Sequence, residues 1–518
     1  MAFLLIFTAL IVIGLSYYLA VWTYWKRRGI PGPIGFPILG NVLEMIDHDA
    51  PPFLQFQKWS QKYGSYFGIT EGLSKTLVIS DPEMVNEVFV KQFDNFYGRK
   101  LNGIQGDPNK DKRVHLFASE GHRWKRLRNL SSPSFSNNSL KKLKRTVEDS
   151  AVELLKHIEN NTANGDSIDM LLYYQEFTMD VIGRIAMGQN ESKMFNDNIL
   201  LEPVKSIFGS GRRWLMILGQ VLPKPAAYIM RKIIFSLPKS IPAVQLHRII
   251  EEALEKRIAQ RKNDQENGVE PGEPEDFIDL FLNAESEIDI VSENGKDDFL
   301  TKNSGKVSKN LTIDEIVGQC FVFLLAGFDT TALSLSYSSY LLARHPEVMR
   351  KVQKEIEEVC PDPEITFDQL SKLKYLDSVI KETLRIYPLG AVANMRRCMK
   401  TSKVGDLIIE KGTNVYADTW SLHYNKTLWG EDAAEFRPER WEEEGITDFK
   451  LGYMPFGSGP RQCIGMRLAY MEEKLLLSQI LRKYDFVTCE KTAIPLKLVG
   501  RATTGPEEVY LNLKPRYT

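Results

Sequence analysis

The longest regular segment sets the scale of the fold. Thr312-Ile313-Asp314-Glu315 forms a capping box, in which the Thr312 and Glu315 side chains satisfy each other's free backbone donors, and helical character continues to Arg344, just before His345-Pro346. A helix of about 32 residues is about 48 Å long, enough to traverse an entire domain. Residues 316–342 are mostly uncharged, so much of that helix is buried. Most other segments up to about residue 385 also read as helices, with short extended pieces such as 75–80. Strand-like alternation returns at 404–419 and at 488–513, so the pattern predicts a mainly α fold with small β-sheets.

The 518 residues carry 66 Lys plus Arg against 67 Asp plus Glu, a formal net charge of -1. This balance excludes nucleic-acid binding through an overall cationic field, because holding phosphates needs a concentrated excess of Lys and Arg. With 43% hydrophobic and 26% charged residues, the chain is neither disordered nor collagen-like. Division by roughly 150 residues per domain predicts about three domains. The cysteines, Cys320, Cys360, Cys398, Cys463 and Cys489, are scattered and form no C-x-x-C pair, which argues against a disulfide framework or a structural zinc site.

Residues 3–25 hold no charged side chain and end at Lys26-Arg27-Arg28. As a helix this run is about 34 Å long, enough to cross a bilayer core of about 30 Å with some tilt. Positive charge after the span predicts an uncleaved N-terminal membrane anchor with a cytosolic body. Glycosylation sequons at Asn129, Asn137, Asn160, Asn190, Asn310 and Asn425 read as unused, since the pattern acts only in the secretory lumen. The prolines and glycines between Pro31 and Asn41 predict a stiff, non-helical hinge. The resulting division is an anchor with its basic stop at 1–28, a hinge at 29–41 and a body at 42–518. Within the body, the acidic, glycine-bearing segment 263–310 predicts a short helix at 277–282 between exposed loops. Segment 207–241 alternates apolar and basic residues and reads either as two packed helices with solvated basic faces or as a segment dipping into the membrane surface.

The most informative stretch is Phe456-Gly457-Ser458-Gly459-Pro460-Arg461-Gln462-Cys463-Ile464-Gly465, followed by a helical run at 466–477. A cysteine on a tight turn at a helix N-terminus meets free amides and the macrodipole, which favour a thiolate, and a thiolate there suits a metal. Gly459 and Gly465 lack side chains that would keep a flat macrocycle off the loop, and Arg461 could reach an acidic group at its edge. This decapeptide resembles the F-x-x-G-x-R-x-C-x-G haem-binding signature of the cytochrome P-450 superfamily at every fixed position. The resemblance implies that Cys463 is the axial thiolate and metal ligand of a haem iron, with Phe456 packing near the sulfur and Arg461 near a propionate.

Further matches follow in the family's order. Glu382 and Arg385 form an E-x-x-R pair on one helix face, and Phe436-Arg437-Pro438-Glu439-Arg440-Trp441 lies downstream. The resemblance implies a buried structural network of Glu382, Arg385 and Arg440, whereas the second E-x-x-R copy at Glu347 and Arg350 reads as a solvated pair. In Ala326-Gly327-Phe328-Asp329-Thr330-Thr331, the Thr330 hydroxyl can bond back to the Ala326 carbonyl and bend the long helix. The matching family pattern implies that Thr330 and Asp329 relay protons toward bound dioxygen. Trp124 and Arg128, at i and i+4, resemble the family's W-x-x-x-R propionate helix, and Arg396 resembles a further propionate ligand, with Arg397 and Arg99 as competitors.

No histidine shows a metal-ligand pattern, and neither G-x-x-x-x-G-K-[S/T] nor G-x-G-x-x-G occurs. With no flavin or nicotinamide site apparent, electrons must come from another protein. A basic cluster at Arg123, Lys125, Arg126, Lys141, Lys142, Lys144 and Arg145 reads as a steering surface for an acidic reductase or as a plain solvated helix face.

The resemblance covers nearly the whole chain and is closest to the microsomal clan of drug- and steroid-oxidising enzymes. It implies one haem-thiolate domain behind an N-terminal transmembrane helix at the endoplasmic reticulum, in place of three domains. It also implies a monooxygenase that inserts one atom of O2 into a lipophilic substrate, with haem b as cofactor. Electrons would come from NADPH through a separate flavoprotein reductase, with a small haem electron carrier as a further partner. Alternative readings are a haem-thiolate peroxide isomerase, to which an Asp329–Thr330 relay would be superfluous, and a non-catalytic haem sensor. The family's usual pocket positions are 101–117, 201–218, 321–330, 389–395 and 502–506 here.

Overall fold

The computed structural model describes the chain except residues 46–50, 101–106, 163–164, 197, 210–212, 237–240, 270–273, 275, 285–309, 391–392, 444–450, 501 and 517–518. Among the described residues helices dominate, accompanied by four small sheets. The helix Ile313–Arg344 runs through the middle, opened by the expected capping box: Glu315 N donates to Thr312 Oγ1 at 3.2 Å, and Thr312 N donates to Glu315 Oε2 at 3.1 Å. Its mostly uncharged sequence lets it pack on several sides, against the helices Met170–Met187, Pro242–Glu266, Lys374–Ile386 and Met466–Lys483. Met170–Met187 is itself almost wholly buried. Asp169 caps its start by accepting from Leu171 N at 3.1 Å, and Gly188, at φ 63°, ends it.

The largest sheet has the strand order Tyr66–Glu71, Ser74–Ile79, Asn414–Ala417, Met395–Arg397. The middle pair is parallel and the outer pairs are antiparallel, with Arg396 opposite Val415. A three-stranded sheet near the C-terminus joins Ile168–Asp169, Tyr510–Pro515 and Tyr484–Thr488. The short helix expected at 277–282 is present as Phe277–Leu282, and most of the loop expected after it lies outside the described residues.

At the N-terminus, Phe3–Trp22 is long and apolar enough to cross a membrane and is almost entirely exposed. Within the apolar run to residue 25, the helix Ala2–Trp22 ends at Thr23 and the next residues dock onto the body. Trp25 is buried, its indole donating to Ile69 O at 2.8 Å. It lies so close on Gly68 that a Cβ there would stand 2.2 Å from the ring. Tyr24 donates to Glu410 at 2.8 Å, and Trp22 to Gly35 O at 2.7 Å. The following segment is non-helical and follows the first strand: Gly68 N donates to Pro31 O at 2.8 Å and Asn41 N to Thr70 O at 2.6 Å.

Between 207 and 241 the described residues include the helices Arg213–Val221 and Lys224–Ser236. Their junction is packed, since Gln220 O accepts from Leu73 N at 3.2 Å and Val221 O from the Tyr18 hydroxyl at 2.7 Å. The outward side of the second helix is not simply basic: Tyr228, Ile229 and Ile233 are exposed on it beside Lys232. Arg212 and Lys239 lie outside the described residues.

Candidate active site

Three short constraints shape the cysteine loop. Gly457 and Gly459 take φ of 75° and 70°, which L side chains resist, and Cys463 N donates to Phe456 O at 2.9 Å. A Cβ on Gly459 would meet Phe89 O at 2.0 Å. Gly459 is therefore needed for backbone packing, not to clear a macrocycle as expected; Gly465 and Gly457 are the loop glycines that line the cavity.

One cavity collects most of the expected site residues. Cys463, Arg461, Phe456, Trp124, Arg128, Arg396 and Thr330 all line it. The Cys463 side chain is reached from the cavity although protein surrounds it. Burial raises its thiol pKa, while the amides of Gly465 and Met466 and the Arg128 guanidinium pull it down. The helix-terminus effect is thus present, and desolvation opposes it. Phe456 packs on Tyr470 with ring centroids 5.4 Å apart, and Arg461 lies 4.7 Å over the Trp124 ring.

The arginines decide what the cavity can hold. Arg396 Nη2 donates to Ser458 O at 3.1 Å, Arg461 Nη2 to Ser119 O at 2.6 Å, and Arg99 to the carbonyl of Ala393. The Nε atoms of all three are buried without a partner among the described residues. Burial lowers the Arg99 pKa to about 10. It takes Arg396 and Arg461 well below their usual value, and repulsion among the guanidiniums adds to the shift. Three desolvated cations facing one chamber call for an anion. The nearby Glu120 is committed elsewhere, with both oxygens 2.7 Å from Arg397 Nη2. Of the neighbouring candidates, Arg396 faces the cavity, Arg397 pairs with Glu120, and Arg99 joins the cavity wall. A flat apolar ligand carrying two carboxylates, as haem does with its propionates, fits these walls and their unpaired donors.

Thr330 donates to Ala326 O at 2.7 Å, the expected back-bond. Asp329 is buried and does not line the cavity; its carboxylate accepts a hydrogen bond from Thr503, and burial raises its pKa to about 6. Residues of the expected pocket segments that reach the cavity include Leu116, Phe117, Val322, Phe323, Leu389 and Ala393. Residues 101–106 and 391–392 lie outside the described residues. Segments 201–218 and 502–506 contribute no described residue to it, Thr503 and Thr504 being engaged by Asp329 and by the Tyr337 hydroxyl at 3.1 Å. Ile182 fills part of the wall instead: a Cβ on Gly327 would stand 2.9 Å from its Cδ1.

Behind the loop, Glu382, Arg385 and Arg440 form the expected buried network. Arg385 grips Glu382 with two bonds of 2.9 and 2.8 Å, Arg440 Nε lies 3.3 Å from the same carboxylate, and Trp441 Nε1 donates to it at 3.0 Å. The histidine that joins this network to the loop carries no sequence signal. His423 Nε2 accepts from Met454 N at 3.1 Å, so Nδ1 bears the proton given to Arg385 O, also at 3.1 Å. Burial, with the Arg385 charge, lowers the His423 pKa to about 3, keeping it neutral. The supposed basic surface fares less well. Arg126 is buried against Glu315, Lys144 is held by Glu148 at 2.9 Å and Arg123 lies 3.4 Å from Glu315, leaving Lys125, Lys141, Lys142 and Arg145 on the exposed side.

A family model described as cytochrome P450 matches residues 30–513. The chain belongs to the cytochrome P450 family. Relatives of nearly equal length agree: "Putative cytochrome P450 CYP13A4" of Caenorhabditis elegans is 55% identical over 517 residues, covering 99% of each chain. "Putative cytochrome P450 CYP13A10" of the same nematode is 56% identical over 508 residues, covering 97% of each. Cytochromes P450 are generally haem-thiolate monooxygenases, so the cofactor is haem with an axial cysteine thiolate.

Proposed function

We propose that this cytochrome P450 inserts one atom of O2 into a lipophilic substrate, with Cys463 as the axial ligand. The observation that carries this reading is the opening of the Cys463 side chain into the same apolar cavity as three buried guanidiniums whose Nε atoms have no partner among the described residues. When bound there, the haem supplies oxygen activation, with thiolate donation favouring O–O cleavage. The protein's part is binding, orientation and proton handling. Trp124, Arg128, Arg396 and Arg461, joined by Arg99, would hold the propionates, and Phe456 would shield the sulfur. Thr330 keeps a hydroxyl proton on the cavity wall, donated to Ala326 O at rest. Asp329, with a pKa near 6, can exchange protons behind that wall close to neutral pH, and Thr503 holds its carboxylate in place. An intact Asp329–Thr330 pair favours oxygenation over peroxide isomerisation.

The chain is read as an anchor at 1–28, a hinge at 29–41 and a catalytic body at 42–518, single-pass in the endoplasmic reticulum membrane with the body cytosolic. NADPH reaches it through a separate flavoprotein reductase, and a small haem carrier is a second donor. The exposed helix Phe3–Trp22 and the basic residues after it support this topology. Replacing Cys463 with Ala should abolish the reduced carbon-monoxide absorption of a thiolate haem while the protein still folds. Survival of that absorption would refute the ligand assignment.

A further inference from the structure

The cavity wall has a second polar feature, away from the arginines. Glu472 and Glu473 lie on the helix Met466–Lys483, about 9 Å or more along it from its first residue, and both line the cavity. They are 4% and 1% exposed. Glu473 Oε2 accepts from Ser334 Oγ at 2.8 Å, and Ser334 stands one helical turn after Thr330 on the cavity side of the long helix. The Glu472 carboxyl has no hydrogen-bond partner among the described residues, and nothing in the proposed chemistry uses either acid.

Two adjacent carboxyls in an apolar chamber cannot both ionise without a cation. The cation beside them, Lys474, is taken by Asp377 of the helix Lys374–Ile386 at 2.8 Å. Tyr470 on the same helix remains protonated, its pKa raised by burial with the Asp377 and Glu473 charges adding. Ser334 reaches the pair from the long helix. On the helix Asn137–Thr162, Lys144 is held by Glu148 at 2.9 Å; on Pro346–Val359, Gln353 is held by Asp485 of the strand Tyr484–Thr488 at 2.7 Å. Arg99, Arg128, Arg396 and Arg461 line the same cavity by way of other elements.

Resting on the haem-thiolate reading above, we propose that the Glu472–Glu473 pair is a proton-accepting site coupled to the cofactor, so that charge added to the haem by reduction is balanced by a proton taken up on this wall. In balanced form, one electron from a flavoprotein or chemical reductant enters the iron, and one proton from solvent binds a Glu473 carboxylate oxygen. Burial raises the Glu473 pKa to about 8, against the opposing effects of the Ser334 bond and Lys474; burial and the Glu473 charge raise Glu472 further. Below that pH both acids are protonated in either redox state and no proton moves; above it, reduction draws one in.

The test is a spectroelectrochemical titration of the ferric–ferrous midpoint potential of the full-length, haem-loaded chain in detergent, across neutral to alkaline pH. The potential should be flat below about pH 8 and fall above it with a slope of one proton per electron. Glu473→Gln should flatten that limb. Ser334→Ala should move the bend to higher pH, because the lost hydrogen bond favoured the ionised carboxyl. A wild-type potential without the limb, or a Glu473→Gln protein that keeps it, overturns the proposal. Should Glu473→Gln fail to retain haem, an unmoved bend in Ser334→Ala overturns it equally. Failure here is distinct from failure of the oxygenase reading, because the thiolate carbon-monoxide absorption depends on Cys463 and should persist in these variants.

Discussion

Two regions of the molecule bury arginines, and they treat them oppositely. Behind the cysteine loop, Arg385 and Arg440 are 0% and 1% exposed and share a Glu382 that is 0% exposed. Arg385 also donates to the carbonyls of His423 at 2.8 Å and Ala433 at 2.6 Å. In the cavity, Arg99, Arg396 and Arg461 are also buried, yet each keeps an unpaired Nε and each shift in pKa is downward. The difference lies in who supplies the anion. In the scaffold the chain supplies it, and the network is a finished part of the fold. In the cavity a ligand must supply it, so folding and haem binding are linked through the same electrostatic deficit.

The largest effect expected from this contrast follows removal of the scaffold's anion. Glu382→Gln leaves the Arg385 guanidinium buried without a counter-charge, while Arg440 keeps Asp432 at 3.2 Å, and should destabilise the fold by about 3–5 kcal/mol. Urea unfolding followed by tryptophan fluorescence measures it, with haem retention read in parallel. A loss below about 1 kcal/mol would mean that the scaffold tolerates an unbalanced charge as the cavity does, and the contrast would fail.

The cavity arginines sharpen the same comparison at smaller amplitude. If Arg396 holds a propionate as proposed, Arg396→Met removes that donor and relieves repulsion with Arg99 and Arg461, so the haem-free protein should gain stability while the loaded protein loses haem. A charge-assisted hydrogen bond is worth about 1.5–3 kcal/mol, so haem loss should speed up by roughly ten- to a hundredfold. Arg397→Met should leave haem dissociation unchanged, since Arg397 serves Glu120. Transfer of haem to an acceptor apoprotein reads both rates, and equal acceleration in the two variants would remove Arg396 from the cofactor site.

What could be read in advance divides along similar lines. The long helix, its capping box and its end before His345-Pro346 depend on neighbouring residues, and the structure reproduces them to the residue. The loop from Phe456 to Gly465 was legible because several chemical demands fall within ten positions. What could not be read is set by contacts far apart in the chain. The choice between Arg396 and Arg397 depends on Glu120, 277 positions from Arg397. The need for Gly459 depends on the Phe89 carbonyl, and the burial of Arg126 on Glu315. His423 gave no signal because its role consists of two backbone bonds that any buried histidine could make. The docking of Trp25 could not be read because it is as apolar as the run before it, and only the Ile69 carbonyl and the open face of Gly68 hold it against the body.

The smallest effect is expected where the scaffold's motif recurs in water. Glu347 and Arg350 repeat the spacing of Glu382 and Arg385, three residues apart on one helix face, and both are exposed. Glu347 lies 3.4 Å from His345 Nδ1, and the solvent screens whatever charge it presents to its helix neighbours. Glu347→Ala should change stability by no more than about 0.5 kcal/mol and leave haem retention untouched. The same unfolding titration used for Glu382→Gln measures it, and the ratio of the two losses isolates burial, because residue types and spacing are shared. A large loss at Glu347 would show that the E-x-x-R spacing itself carries stability; a negligible one assigns the energy of the pattern to the dry environment around Glu382 and its three donor side chains.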